Sequence, residues 1–511
     1  MMILKRVGLL MINGTVSAIT AFLMSGIGVW FNLYLTRKIG TAMMGHYQLM
    51  MSIYSFGVTF ASSGANFATM RLVSENMGAR LSEILRKCFL YALVFGFGSC
   101  VILLIFAPFF SHSILHQNNG VISLRIMALS LPFVAASGIM VGYFTAVRKV
   151  YKTALIQIGE QLLKIGLTVL FLSHFLPRGE EYTCLSLILA GTLGEGASFL
   201  ASLGLFHYDR KKEKGIKKAT GGLLRIALPI AFSSYLRSGL VTVKHLLVPS
   251  QLQKNGMTHR QAVSAFGIIH GIVLPIILFP TSLLFSFSNL LIPEVAEVRA
   301  RSGNHSRRIT YFIDRSIQLT LLFSFGTAGY LFFFAEELMS AWGNHENSAM
   351  YLKMLALLVP VMYLDHTVDN MLKGLDEQVQ SMKYNIIDSA VGLGLLFLLL
   401  PQFGTAGYVF LICFSEILNF TLSFRRLSKV ACFNLMFGKG IFLPALCAII
   451  AVLIGKNMAF LLDLPAAFLL ITSGIVTLLF YFLLLRITGC FTQEDSLWVK
   501  QIFQSTKKRV S

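Results

Sequence analysis

Residues 124–149, LRIMALSLPFVAASGIMVGYFTAVRK, lie without gaps over residues 352–377, LKMLALLVPVMYLDHTVDNMLKGLDE, at an offset of 228. The overlay pairs Arg125 with Lys353, Pro132 with Pro360 and Ala146 with Gly374. Each stretch is apolar for about twenty residues, the length of helix that crosses a bilayer, and neither shows the strict alternation of a barrel strand. Two further matches follow in chain order. FLMSGIGVWFNLYL from Phe22 pairs with YLRSGLVTVKHLLV from Tyr235, and Glu195 falls opposite Glu416. An ordered set of matches is the mark of an internal repeat, here of six helices per unit.

The rest of the chain agrees with this reading. It has 511 residues, 55% hydrophobic and only 13% charged, with a mean hydropathy of +0.71, so lipid has to solvate most of its outer surface. Apolar stretches near 9–35, 46–70, 88–110, 121–146, 154–176, 183–207, 222–248, 265–292, 309–335, 351–372, 384–401, 405–424, 440–457 and 464–486 predict an all-α polytopic membrane protein of about 14 transmembrane helices. The expected organisation is a first lobe over 1–207, a basic linker at 208–221, a second lobe over 222–424, a terminal helix pair at 425–488 and an amphipathic tail at 489–511. Six spans is an even number, so the lobes run parallel, the arrangement of alternating-access transporters with a site between two halves. The first span is read as retained, since no small-residue cleavage site follows it.

The net charge of +20 would suggest nucleic acid in a soluble protein. Here its placement along the chain assigns it to the membrane instead. With both termini cytoplasmic, roughly three quarters of the 43 Lys and Arg fall on the inner side. The expected location is a bacterial cytoplasmic membrane, crossed many times. Seven scattered cysteines without a CxxC or Cys/His grouping predict neither a disulfide framework nor a metal site. The absence of nucleotide-binding and hydrolase motifs predicts a transporter with no bound cofactor, not an enzyme.

Seven ionisable residues lie well inside predicted spans: Glu160, Lys164, Glu195, Arg237, Asp365, Asp369 and Glu416. Facing lipid would cost roughly 3 kcal/mol each, more in total than most folds can tolerate, so they must face a cavity or one another. Gln157, Glu160, Gln161 and Lys164 form one stripe at i, i+3, i+4 and i+7 and are expected to wall a cavity. Arg237 and Lys244 share a helix face with Ser233 and Ser234, and two cations in a poorly screened site suit a diphosphate. Asp365 and Asp369, with His366 and Asn370 beside them, are candidates to neutralise those cations, to bind sugar hydroxyls, or to take a coupling Na+ or H+. Glu195 and Glu416 read as structural partners.

Four stretches carry a family resemblance: LTRKIGTAMMGHYQL at 35–49, LVPSQLQKNGMTHRQAVSAFGIIHGIVLPIILFP at 247–280, SFSNLLIPEVAE at 286–297 and MLKGLDEQ at 371–378. With these, the chain resembles the stage V sporulation protein B and polysaccharide-transporter branch of the multidrug/oligosaccharidyl-lipid/polysaccharide (MOP) flippase superfamily. The resemblance implies two six-helix lobes around a central cavity. It also implies an undecaprenyl-diphosphate-linked peptidoglycan or polysaccharide precursor as cargo, in spore cortex or cell-wall synthesis. Lipid II flippases concentrate arginines in their first two helices, whereas this chain has none in its first span before Arg37 and only Arg71 at the end of its second. Cation-coupled multidrug efflux is the alternative activity. A membrane scaffold recruiting cell-wall enzymes through the basic loops or through an interfacial helix at 493–510 is the alternative of a different class. The expected assembly state is a monomer.

Overall fold

The computed structural model describes residues 2–62, 64–75, 79–116, 120–210, 217–218, 223–284, 306–341, 347–433, 438–461 and 466–492, with isolated positions between them. The SFSNLLIPEVAE stretch, apart from Val295, and the predicted tail helix at 493–510 lie outside the described residues. Among the described residues the regular structure is helical, save for one two-residue pairing of β1 (Ala79–Arg80) with β2 (Lys217–Lys218).

The predicted spans are occupied by α1 (Met2–Ile39), α2 (Thr41–Ser62) continued by α3 (Ala65–Glu75), α4 (Ser82–Phe109), α5 (Gly120–Ala146), α6 (Val150–Phe175), α7 (Glu180–Arg210) and α8 (Leu223–Lys254). There follow α9 (His259–Ile268) and α10 (Leu274–Leu278), joined by a π-helical segment at Ile269–Val273, and α11 (Arg307–Phe333). Beyond these come the short α12 (Ala335–Ala341), the pair α13 (Ser348–Ala356) and α14 (Val359–Gly374), α15 (Gln378–Val430), α16 (Leu443–Leu461) and α17 (Ala466–Ile487). Among the described residues nine helical stretches are long and apolar enough to cross a membrane, and the α13–α14 pair, bent by 54°, makes a tenth. α15 is two helices turned at Gly404, whose φ of 57° suits glycine. Asn255, between α8 and α9, holds that corner by donating to the carbonyls of Pro401 and Gln402.

Helix outer surfaces carry large apolar side chains such as Ile105, Leu170 and Leu478, each more than half exposed, which is the surface a bilayer solvates. Corresponding helices of the repeat make corresponding contacts. α1 packs on α6 as α8 packs on α15, α5 on α7 as α14 on α15, and α4 on α5 as α11 on α14. α16 and α17 pack chiefly on each other and on α11, where Tyr481 donates to the Leu322 carbonyl and Tyr330 to that of Leu470.

The connections segregate to two faces. On one, β1 meets β2, Asp209 pairs with Lys149 at 3.1 Å and Lys152 at 2.8 Å, Arg299 pairs with Asp376 and Arg426 with Glu377. This face carries the basic loops, and the ends of the predicted 208–221 linker, Asp209 and Lys217–Lys218, are tied down there. On the other face Thr41 hydrogen-bonds Ser264, His116 stacks edge-on against His259, and Lys353 and Lys456 pair with Glu336 and Glu337. Near that second face α2 and α9 touch backbone to backbone, since a Cβ on Gly45 or Gly267 would run into the main chain of the other helix. The two halves are thus closed against each other at one end.

Candidate functional site

α6 presents its polar stripe by helical spacing alone, and the structure divides that stripe. Gln157, Glu160 and Gln161 line a cavity of about 570 Å³ between α1, α5 and α6. Lys164, one turn further, turns toward α7, where its Cε would lie 3.6 Å from a Cβ on Gly191. Glu195 and Glu160 are within electrostatic reach of it. Glu195 is held by Tyr54, whose hydroxyl donates to Oε2 at 2.5 Å and also meets Ser130 Oγ at 2.6 Å. Glu195 is therefore tethered within the first bundle.

α8 carries two different faces. Toward α2 it offers Ser238 to Thr59, Thr242 to the Ser52 carbonyl and His245 to Ser52 Oγ. The adjoining face carries Arg237 and Lys244, whose charges reach Asp388 and Glu416 of α15. The Lys244 ammonium rests 3.7 Å from where a Gly392 Cβ would stand, close to Ser415. Arg237 is exposed, and among the described residues no carboxylate lies within 4.0 Å of Arg237 or Lys244.

The acids opposite are each held by a donor of α15. Ser415 donates to Asp388 at 2.6 Å, Asn419 to Asp365 at 2.8 Å, and Ser381 to Asp369 at 2.7 Å. Asp365 is buried, and its second oxygen, together with Asn419 Oδ1 and Ser423 Oγ, has no hydrogen-bond partner. Asn370, also buried, accepts from Lys373 at 3.2 Å. Asp369 and Asn370 lie in the last turn and a half of α14, toward the basic face, rather than at mid-membrane. Among the described residues no three His, Cys, Asp or Glu side chains are grouped so as to hold a metal ion.

The structure thus brings Arg237, Lys244, Asp365, Asp369 and Glu416 into one cluster in the second half and leaves Glu160, Lys164 and Glu195 in the first. The sequence reading does not include Asp388, which enters only four residues inside its predicted span. The polar spacing of Ser381, Asn385, Asp388 and Ser389 at i, i+4, i+7 and i+8 is the signal that marks it. A second omission is His270, on the π-helical segment, whose Nε2 meets the Tyr408 hydroxyl at 2.6 Å. π-segments often present a functional side chain, but sequence gives no sign of one here.

Paired helical bundles, each with an ionisable cluster, define a polytopic membrane fold, and solved structures of the MOP superfamily share it. The chain matches the lipid II flippase MurJ in its inward closed conformation with a TM-score of 0.68 at 14% identity, covering 92% of this chain and 98% of that one. A MOP superfamily transporter from Pyrococcus furiosus matches with a TM-score of 0.61 at 13% identity, covering 82% and 96%. Two sequence comparisons add to this likeness in fold. Residues 10–257 match the polysaccharide biosynthesis protein family, and stage V sporulation protein B of Bacillus subtilis (strain 168) is 23% identical over 435 residues, 82% of this chain and 84% of that protein.

Proposed function

We propose that this protein is an alternating-access flippase that carries an undecaprenyl-diphosphate-linked peptidoglycan or polysaccharide precursor across the cytoplasmic membrane. The observation that carries this reading is the pair of cations on α8. Arg237 and Lys244 lie at membrane depth without a carboxylate within ion-pair distance among the described residues, while Asp365, Asp369 and Asp388 each accept a hydrogen bond from α15. Cations held in this way are open to an anionic group, and a diphosphate offers guanidinium the bidentate oxygens it grips best. The basic face is the cytoplasmic one, with both termini on it. A coupling Na+ or H+ is taken at Asp365, whose free oxygen adjoins Asn419, with Asp369 one turn away. The sporulation names among the relatives support a role in spore cell-wall synthesis.

The test is translocation of a fluorescent undecaprenyl-diphosphate sugar by the purified protein in liposomes, with organic-cation efflux measured on the same preparation. Lipid flipping without cation efflux is expected, and Arg237→Ala should slow flipping at least about tenfold, the worth of one charged hydrogen bond. Cation efflux without flipping, or a variant within about twofold of the parent, overturns the reading.

A further inference from the structure

We infer that the cavity between α1, α5 and α6 is the head-group subsite of this transporter, and that it accepts uncharged sugars and rejects anionic ones. The inference rests on the flippase reading. The cavity adjoins the turn between α5 and α6 on the basic face, where a head group arriving from that side meets it first. Its polar lining is Thr20, Thr145, Thr153, Gln157, Glu160 and Gln161, and the remainder is aliphatic or Met. Thr153 Oγ1 is buried without a hydrogen-bond partner. As it stands the hydroxyl has no open surface, so a turn about χ1 is what would bring it to a sugar, with no hydrogen bond to break first.

Three hydroxyls, two carboxamides and a carboxylate make the donor and acceptor set that recognises vicinal hydroxyls, because each group can accept and all but the carboxylate can donate. About 570 Å³ is within the range of small-molecule sites and accommodates one or two sugar rings. An organic cation would also be attracted to Glu160, but no aromatic face lines the cavity to hold it. A uronic acid would bring a second carboxylate beside Glu160, and the lining contains no Lys, Arg or His to compensate. The two cations of the same helix are engaged elsewhere, Lys164 turning to Gly191 and Gly194 and Lys152 pairing with Asp209.

The test uses two water-soluble probes, short-chain prenyl-diphosphate disaccharides that differ only in a terminal neutral sugar or uronic acid. Binding is measured to the full-length protein in nanodiscs and flipping in liposomes. The neutral probe should bind about tenfold more tightly, and Glu160→Gln should narrow the ratio to about twofold, the repulsion being electrostatic. Glu160→Asp should keep the preference, and Thr153→Val should weaken the neutral probe alone, with the thermal midpoint confirming that each variant folds. Equal binding by the parent, or a preference that survives Glu160→Gln, overturns the subsite even where flipping occurs. A preference found without flipping of either probe leaves the subsite and removes the flippase reading; no binding of either probe removes both.

Discussion

In the first half, Lys164 lies against the glycines of α7 and the Tyr54 hydroxyl is bound to Glu195, so charge and counter-charge are fastened within one bundle. In the second half the repeat-related helix carries Glu416, which has no tyrosine donor among the described residues and faces Arg237 and Lys244 across a gap. The same contrast holds for the backbone. Pro132 sits inside an unbroken α5, whereas its partner Pro360 stands at the start of α14 beyond a 54° bend. Divergence of the two halves has thus tethered the Glu195 carboxylate of one and left an Asp365 oxygen of the other without a hydrogen-bond partner, which suits the coupling ion proposed there.

That contrast fails most visibly if the second half is not the coupling half. Asp365→Asn keeps the size of the side chain and its contact with Asn419 but removes the ionisable oxygen. Flipping driven by a Na+ or proton gradient should fall on the order of tenfold to a hundredfold, with the gradient dependence itself lost. Unchanged gradient dependence in liposomes would move the ion site elsewhere.

Tyr54→Phe tests the other side. It leaves a half-buried carboxylate short of one donor, so the protein should lose about 1–3 kcal/mol of stability while flipping stays within about twofold. Thermal unfolding of the purified variant measures the first and the liposome assay the second. A large loss of flipping at full stability would make Glu195 a working group rather than a tethered one. A smaller effect is expected of Arg426→Ala, which removes the two-pronged grip on Glu377 at the basic face. The pair is partly exposed, so about 0.2–1 kcal/mol is at stake.

Much of this was legible in the sequence because bilayer and repeat both write long signals. Twenty-residue apolar runs mark spans, and the match of 124–149 to 352–377 anticipates the equivalent packing of α5 and α14. Charges in those runs were readable for the same reason, since lipid admits few of them. Which neighbour each charge meets is a tertiary fact that spacing cannot supply. Helical period groups Lys164 with Glu160, yet the side chain bends to α7, and Asp388 escapes notice because its partners Lys244 and Ser415 lie 144 residues before it and 27 after it. The Gly404 corner is equally hidden, for the Asn255 that holds it belongs to another connection.

The smallest effect sharpens the contrast at its outer edge, where the second half alone carries the terminal helix pair. Lys456, at the end of α16, pairs with Glu337, and beside it the Lys353 ammonium holds the Glu336 carboxyl below its ordinary value of 4.5, mainly by donating a hydrogen bond. A carboxylate favoured by the fold stabilises it fully above the unfolded value and loses that contribution as the pH falls through the folded one. The parent should therefore melt slightly above Glu336→Gln at pH 7, and the two curves should converge as the pH drops below about 4.5. Salt should shrink the gap at neutral pH, since Glu336 is exposed to solvent. Thermal midpoints across that pH range measure it, and a gap that persists in acid would mean that Glu336 acts through packing and not through its charge.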